Sequence, residues 1–180
     1  GRLTARTSWK EFAKRVADEP AYAAINGNVG GSRPRELFED VVDELGDTLS
    51  ADAVAVTAAL GDHVDAALEA SVEAVSSMLT AAGGRAAGVS AANLGIILGD
   101  MRAAKQEKAE RAIRKARRAA DDFAAMLRSK PLPVGASWEA VRPEIAREPA
   151  FGALTDETLR KQLNEAHAAA LVASGAEPGE

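Results

Sequence analysis

Residues that could carry out chemistry are few in this chain of 180 residues, and their spacing does not bring them together. The chain has no cysteine, which excludes disulfides, thiolate metal sites and cysteine nucleophiles. Its two histidines, His63 and His167, are far apart in the sequence on ordinary helical stretches. Adjacent acidic residues, such as Asp43-Glu44 and Asp121-Asp122, diverge on a helix surface and so do not converge on one metal ion or proton. We therefore predict no catalytic residue, no metal site, no cofactor and no enzymatic activity.

A basic run between residues 102 and 118 is the one charge feature with a candidate function. It holds eight Lys or Arg and two Glu, a local net charge of +6 in a chain of net charge -5. A cation on nearly every helical turn could bind a phosphorylated peptide or an RNA backbone. The candidate contacts are Lys105, Lys108, Arg111, Arg114, Lys115 and Arg118.

A solvated helix is the simpler interpretation of the same run, and we favour it. Glu107-Arg111 and Glu110-Arg114 are spaced to form ion pairs one turn apart. No aromatic residue interrupts the run, so it offers no stacking platform for bases. We expect any RNA contact to be weak and not sequence-specific.

The elements that must position these residues are all predicted to be helices. The chain is 47% hydrophobic but only 4% aromatic, and it is rich in Ala, the best helix former, with few β-favouring runs. Ser8 and Glu11 form a capping-box pattern ahead of a first helix that ends at Pro20. Pro34 is placed to begin the next helix, and we expect Gly46 or Ser50 to interrupt it.

The middle of the chain lacks aromatic residues and is predicted to be a helical spacer. Ser50 is expected to cap a helix that ends at Gly61, and a second helix is expected to run from Val64 to Leu79. After a breaker-rich connector, Ser90 is expected to cap a helix over residues 91–127. Its part from 105 to 118 is polar, and we expect that part to be a solvated strut.

The last segment is predicted to hold two more helices. Ser137 is expected to cap a helix that starts at Trp138, and Thr155 to open the final helix. The remaining residues, 174–180, are expected to form a frayed tail.

An internal repeat organises the aromatic residues. Ser8-Trp9 recurs as Ser137-Trp138, and the segment 17–22 recurs in register as 146–151. Arg35 and the three residues after it align with 160–163, where Leu163 takes the place of Phe38. The apolar and proline positions that should define the two small cores are Trp9, Pro20, Tyr22, Phe38, Phe123, Trp138, Pro149, Phe151 and Leu163.

This pattern resembles the FF domain: a helix with an early Phe, a helix opened by Trp, an acidic-Pro-x-aromatic turn, and a last helix with Arg-x-x-Phe. The tandem with its long spacer is similar to the FF array of the pre-mRNA-processing factor 40 family. Only eight residues precede Trp9, so the first helix of the first copy is expected to be missing or truncated. Its apolar groove would then be open, or filled by the spacer or a neighbouring molecule.

The resemblance implies an extended all-α chain of two FF-type modules joined by a helical spacer and one long helix. The expected divisions are a first repeat without its first helix at 1–49, a spacer at 50–104, a second FF domain at 105–173, and the tail. It also implies a nuclear, non-catalytic scaffold. This scaffold would dock splicing factors or the phosphorylated C-terminal domain of RNA polymerase II. It would act during early 5' splice-site recognition by the U1 small nuclear ribonucleoprotein. No membrane or small-molecule partner is expected. The alternatives are an FF tandem of a transcription elongation regulator and a basic-helix RNA binder.

Overall fold

The computed structural model describes residues 3–174, and their regular structure is helical, with no strand among them. The chain divides into two compact units, Gly1–Lys105 and Gln106–Glu180. The α-helices of the described part are α1 Trp9–Val16, α2 Pro20–Asn26, α3 Pro34–Leu60, α4 Val64–Glu69, α5 Val72–Ala82, α6 Ala91–Ser129, α7 Trp138–Ile145, α8 Pro149–Ala153 and α9 Glu157–Ala173. The prediction of an all-helical fold is confirmed, whereas the predicted division into first repeat, spacer, second FF domain and tail stays a prediction.

The third helix is longer than predicted. We expected an interruption at Gly46 or Ser50, but α3 continues through both positions to Leu60. The Ser50 hydroxyl does not cap a helix; it donates to the carbonyl oxygen of Gly46 at 2.9 Å, within the helix. A single Gly costs a helix only about 1 kcal/mol, and here it lies within a helix of 27 residues. The predicted stop is correct, because Gly61 leaves the helix with φ 47°.

The single helix predicted from Val64 to Leu79 is instead two helices, α4 and α5. The backbone of Ala70 is extended, and the Ser71 hydroxyl accepts a hydrogen bond from the Ala74 N–H at 3.2 Å. The apolar spacing continued through the break, but Ser prefers the N-cap position to the helix interior, and this preference decides the local structure.

Aliphatic side chains form the core of the first unit. The buried residues come from α3 to α6, inside the segment predicted to be a spacer, and include Val56, Leu60, Leu68, Val75, Leu79, Leu94 and Leu98. Ala and Leu in helices that cross closely can therefore bury a core without aromatic residues. The spacer has a hydrophobic core of its own.

A buried carboxylate fixes the connector before α6 to the rest of this core. Asp52 is 7% exposed and accepts hydrogen bonds from Arg85 Nε and Nη2, at 3.2 and 3.0 Å, and from Asn93 Nδ2 at 2.8 Å. These bonds satisfy both carboxylate oxygens, as a buried charge requires. Nothing in the spacing of Asp52, Arg85 and Asn93 predicted this cluster.

The long helix α6 is confirmed at nearly the predicted length. The Ser90 hydroxyl accepts from the Asn93 N–H at 3.1 Å, as expected of a cap. Residues 102–118 are exposed throughout, which fits the prediction of a solvated stretch.

The second unit contains the end of α6 with α7, α8 and α9. Ser137 caps α7 as predicted, accepting from the Ala140 N–H at 3.4 Å. The prediction that Thr155 opens the last helix is wrong by one residue: Asp156 is the N-cap and accepts from the Leu159 N–H at 3.0 Å. A carboxylate both accepts this bond and complements the positive end of the helix dipole. Of the predicted tail, Ser174 ends α9, and residues 175–180 lie outside the described residues.

Candidate protein-interaction surfaces

The second unit is built around three aromatic rings that the repeat singled out. Phe123 of α6 is fully buried and Trp138 of α7 is 7% exposed. Both rings contact Phe151 of α8 with centroids 6.3 Å apart, Trp138 in a stacked arrangement. Leu163 packs against the same core from α9, and Pro149 is the first residue of α8. All four helices of this unit therefore contribute side chains to one core.

Arg160 of α9 also contacts Phe151. Its guanidinium carbon lies 4.1 Å from the centre of the Phe151 ring, in the geometry of a cation–π contact. Its Nη2 donates to the carbonyl oxygen of Phe151 at 2.8 Å, and its Nη1 donates to Glu157 at 2.7 Å. In the sequence Arg160 appeared only as a matched position of the repeat, and its packing role was not predicted.

Glu157 collects three donors at the surface of this module. Besides Arg160, the Trp138 indole N–H donates to it at 3.2 Å, and Arg142 Nε lies 3.1 Å from it. The hydrogen bond from Arg160 is the main cause that holds the pKa of Glu157 below its usual value; the charges of Arg142 and Arg160 and the indole bond act in the same direction. The carboxylate thus ties the start of α9 to α7.

A shallow pocket of about 620 Å³ opens beside this network. Its lining combines the edges of two aromatic rings with one cation and two carboxylates: Trp138, Glu139, Arg142, Pro143, Ala146, Phe151 and Glu157. A concave surface that combines apolar side chains with a few polar groups is typical of a ligand-binding site. This pocket is one candidate contact surface of the second unit.

The basic run supplies the other candidate surface. The predicted ion pairs are present, with Arg111 Nη2 2.6 Å from Glu107 and Arg114 Nη1 3.5 Å from Glu110. Four of the six predicted contact residues line one shallow groove of about 260 Å³: Arg111, Arg114, Lys115 and Arg118.

The six predicted cations differ in their partners. Lys105 Nζ belongs to the first unit, 3.0 Å from Asp65, and this hydrogen bond raises its pKa. Lys108, Lys115 and Arg118 form no ion pair among residues 3–174. These three cations, together with the exposed arms of Arg111 and Arg114, are available to an anionic ligand.

Arg102, at the start of the basic run, has a structural role. Its Nε and Nη2 donate to the carbonyl oxygens of Leu68 and Ala70 at 2.7 and 2.8 Å, and so satisfy groups that the end of α4 leaves open. This role was not predicted, because the hydrogen bonds join residues that are more than thirty positions apart.

The residues considered for metal or acid–base chemistry do not form a site. His63 is exposed after α3, and His167 is half-buried within α9. Within the described part of the chain, no group of three His, Asp or Glu side chains is arranged to hold a metal ion. No helix of that part has the length and apolar character to cross a membrane.

The first repeat also gathers its aromatic residues, but around an open face. The Trp9, Phe12 and Phe38 rings form a cluster with centroids 4.9 to 6.0 Å apart. Phe38 is buried, whereas Trp9 and Phe12 are half-buried. Tyr22 lies on α2, which begins at Pro20, and it lines an apolar groove of about 370 Å³ beside this cluster.

Comparison with known families matches one part of this arrangement. The model of the FF domain matches residues 118–167, the end of α6 through most of α9. Comparison with curated proteins and with solved structures gave no match. The match covers the three rings of Phe123, Trp138 and Phe151 together with Arg160, and it does not reach the first repeat. Residues 118–167 of this chain are therefore an FF domain, a helical protein-interaction module.

Proposed function

We propose that this chain is a non-catalytic interaction scaffold of nuclear pre-mRNA splicing. In this role its FF domain docks splicing factors, or the phosphorylated C-terminal domain of RNA polymerase II, during early 5' splice-site recognition. The observation that carries the proposal is the FF domain at residues 118–167, joined directly to an exposed row of cations. The likeness of the repeat and spacer to the pre-mRNA-processing factor 40 family supports the assignment to splicing.

The charge of α6 favours a phosphorylated ligand. Lys115 and Arg118 lie on one face of the helix, three residues apart, at the entry to the FF domain. An ion pair of either residue with a phosphoserine adds charge-assisted hydrogen bonds that the unmodified serine cannot form. Binding should therefore depend on phosphorylation and weaken as salt increases.

A peptide titration tests the phosphopeptide proposal. A labelled peptide of RNA polymerase II C-terminal repeats, with and without phosphoserine, is titrated with the full chain by fluorescence anisotropy. We expect the phosphorylated form to bind more tightly, and the double variant Lys115→Glu, Arg118→Glu to weaken it about tenfold or more.

The matched control makes the same change in charge elsewhere. Arg117→Glu with Arg147→Glu reverses two exposed cations, one on another side of α6 and one between α7 and α8. This control should retain most of the affinity. Equal affinity for both peptide forms, or an equal loss in both double variants, contradicts docking of phosphoserine at Lys115 and Arg118.

The cellular role requires a separate measurement. Affinity purification of the tagged chain from nuclear extract should recover U1 components with splicing factors. Recovery of elongating polymerase without U1 components instead supports the alternative of a transcription elongation regulator.

A second candidate function is RNA binding along α6, which the groove lined by Arg111, Arg114, Lys115 and Arg118 favours. Contacts with up to four phosphates of single-stranded RNA predict a salt slope of about -3 in a plot of log K against log salt. Changing all four cations to Glu should abolish such binding. RNA affinity that is unchanged in this variant excludes the second candidate.

A further inference from the structure

The first unit has an apolar groove that the described residues leave open. Three of its lining residues are large and exposed: Ile25 is 37% exposed, Leu37 41% and Val41 42%. The groove lies between α1, α2 and α3, and its other lining residues include Leu3, Phe12, Val16, Tyr22, Pro34 and Phe38. A cluster of exposed large apolar side chains in one concave surface is typical of an interaction site.

The second unit shows what covers the corresponding surface there. The repeat aligns Trp9 with Trp138 and Tyr22 with Phe151. In the second unit Phe123, on a helix that precedes Trp138, contacts Phe151 and is fully buried. Met126 and Leu127 follow on the same face of that helix and are also buried.

The first unit has no such helix among its described residues. Residues 3–8, which precede α1, are not helical, and Leu3 is the residue of this segment that lines the groove. Arg35, the counterpart of Arg160, does not close the groove, because it forms an ion pair with Glu39 along α3 with its Nε at 2.7 Å. The rings of the first repeat therefore have a core-like surface with one side uncovered.

Carboxylates at the margin give this groove an electrostatic preference. Glu19 lines it, and Asp40 and Glu44 lie on the side of α3 that carries Leu37 and Val41. None of these three carboxylates forms an ion pair within residues 3–174. An occupant with Lys or Arg beside its apolar face would pair with them.

We propose that this groove binds an amphipathic helix of a partner protein. The helix carries an aromatic residue followed by aliphatic residues three and four positions later, as Phe123, Met126 and Leu127 do in the second unit, and it has basic residues at its flanks. The proposal is independent of the splicing assignment, since it rests on the repeat, the open groove and its acidic margin.

A peptide from the chain itself is a suitable probe. Residues 115–130, synthesised as a separate labelled peptide, contain Phe123, Met126 and Leu127 with five Lys or Arg and two Asp. We expect this peptide to bind the full chain saturably. Its affinity should be modest, because the free energy needed to fold a short free peptide into a helix is subtracted from the free energy of binding. The same peptide with Ala at these three apolar positions should not bind.

Two variants of the chain test the site. Val41→Glu places a charge in the groove and should weaken binding about tenfold or more, equivalent to about 1.4 kcal/mol. Val54→Glu is the matched control, because Val54 lies on the same helix, is 72% exposed and is outside the groove. The double variant Asp40→Lys, Glu44→Lys should weaken binding severalfold and reduce its salt dependence. Circular dichroism melting checks that each variant is folded.

Three results would overturn the proposal. The first is no saturable binding of the peptide up to about 1 mM, which corresponds to about 4 kcal/mol. The second is equal binding by Val41→Glu and Val54→Glu, which would place the peptide elsewhere. The third is concentration-dependent dimerisation, seen by sedimentation and abolished by Val41→Glu, which would make a second copy of this chain the occupant.

Discussion

Replacing Arg160 by Met should destabilise the FF domain by about 2–4 kcal/mol. The charged donor to the Phe151 carbonyl oxygen, at 2.8 Å, is worth about 1.5–3 kcal/mol. The cation–π contact at 4.1 Å adds about 0.5–2 kcal/mol. The ion pair with the half-exposed Glu157 adds at most about 1 kcal/mol. Against these gains, the buried Nε of Arg160 has no hydrogen-bond partner among residues 3–174, so its removal relieves a desolvation cost.

Urea unfolding measures this loss. In a Trp9→Phe background, Trp138 is the only Trp, and its emission reports on the FF domain alone. With a slope of about 1–2 kcal/mol/M, Arg160→Met should lower the unfolding midpoint by at least about 1 M. The unfolding midpoint of Arg160→Lys should lie between those of the unsubstituted background and Arg160→Met, since Lys keeps the charge but not the planar fork of the guanidinium.

Arg147→Met is the matched control on the same reporter. Arg147 is exposed in the same unit, so its loss should change stability by less than about 0.5 kcal/mol. If Arg160→Met behaves like this control, Arg160 does not hold Phe151 in place, and the reasoning from its contacts is wrong.

Three further predictions concern the cores and the surface network. Trp138→Ala should cost the FF domain about 3–5 kcal/mol, as the truncation of a buried aromatic residue, measured by thermal melting. Asp52→Ala should cost the first unit about 2–3 kcal/mol, because it removes three hydrogen bonds and leaves Asn93 unpaired, whereas Asp47→Ala on the exposed side of α3 should cost little. The pKa of Glu157 is lowered in the folded state. The ionised carboxylate therefore stabilises the FF domain above the pKa that Glu157 has in the unfolded chain, and this stabilisation is lost as pH falls through the folded-state pKa. The melting temperature of Glu157→Gln should therefore depend less on acid pH than that of the wild type.

Each of these predictions has a contrary outcome. Unchanged melting of Trp138→Ala with loss of a bound peptide would make Trp138 a ligand contact instead of a core residue. Equal effects of Asp52→Ala and Asp47→Ala would show that the buried carboxylate is not needed for stability. Parallel pH profiles for the wild type and Glu157→Gln would mean that its three donors do not stabilise the ionised form.

Local features of the fold could be predicted from the sequence. The hydroxyls of Ser8, Ser90 and Ser137 cap their helices as expected, because a cap depends on residues within one turn. The stop at Gly61 is local for the same reason. Ser50 and Ser71 show the limit: each residue can cap a helix or lie within one, and the spacing of the apolar residues around them did not distinguish the two.

Features that join distant segments could not be predicted. The hydrogen bonds of Asp52 reach residues 33 and 41 positions away, and nothing in the spacing of these residues indicates that they meet. The repeat did indicate which aromatic residues meet around Phe151, but not that Arg160 lies over its ring. Similarly, the pattern of cations did not show that Arg102 donates hydrogen bonds to the end of α4, or that Lys105 forms an ion pair with Asp65.

The exposed stretch of α6 has a consequence for how this helix opens. Ordinary helices fray from their ends, but the ends of α6 are held by buried residues such as Leu94 and Leu127. Between residues 102 and 118 the amide groups are protected by the helix alone, with no side chain buried over them. Hydrogen exchange should therefore be fastest near the centre of this helix. The many Lys and Arg residues there would make transient opening visible as the first tryptic cut.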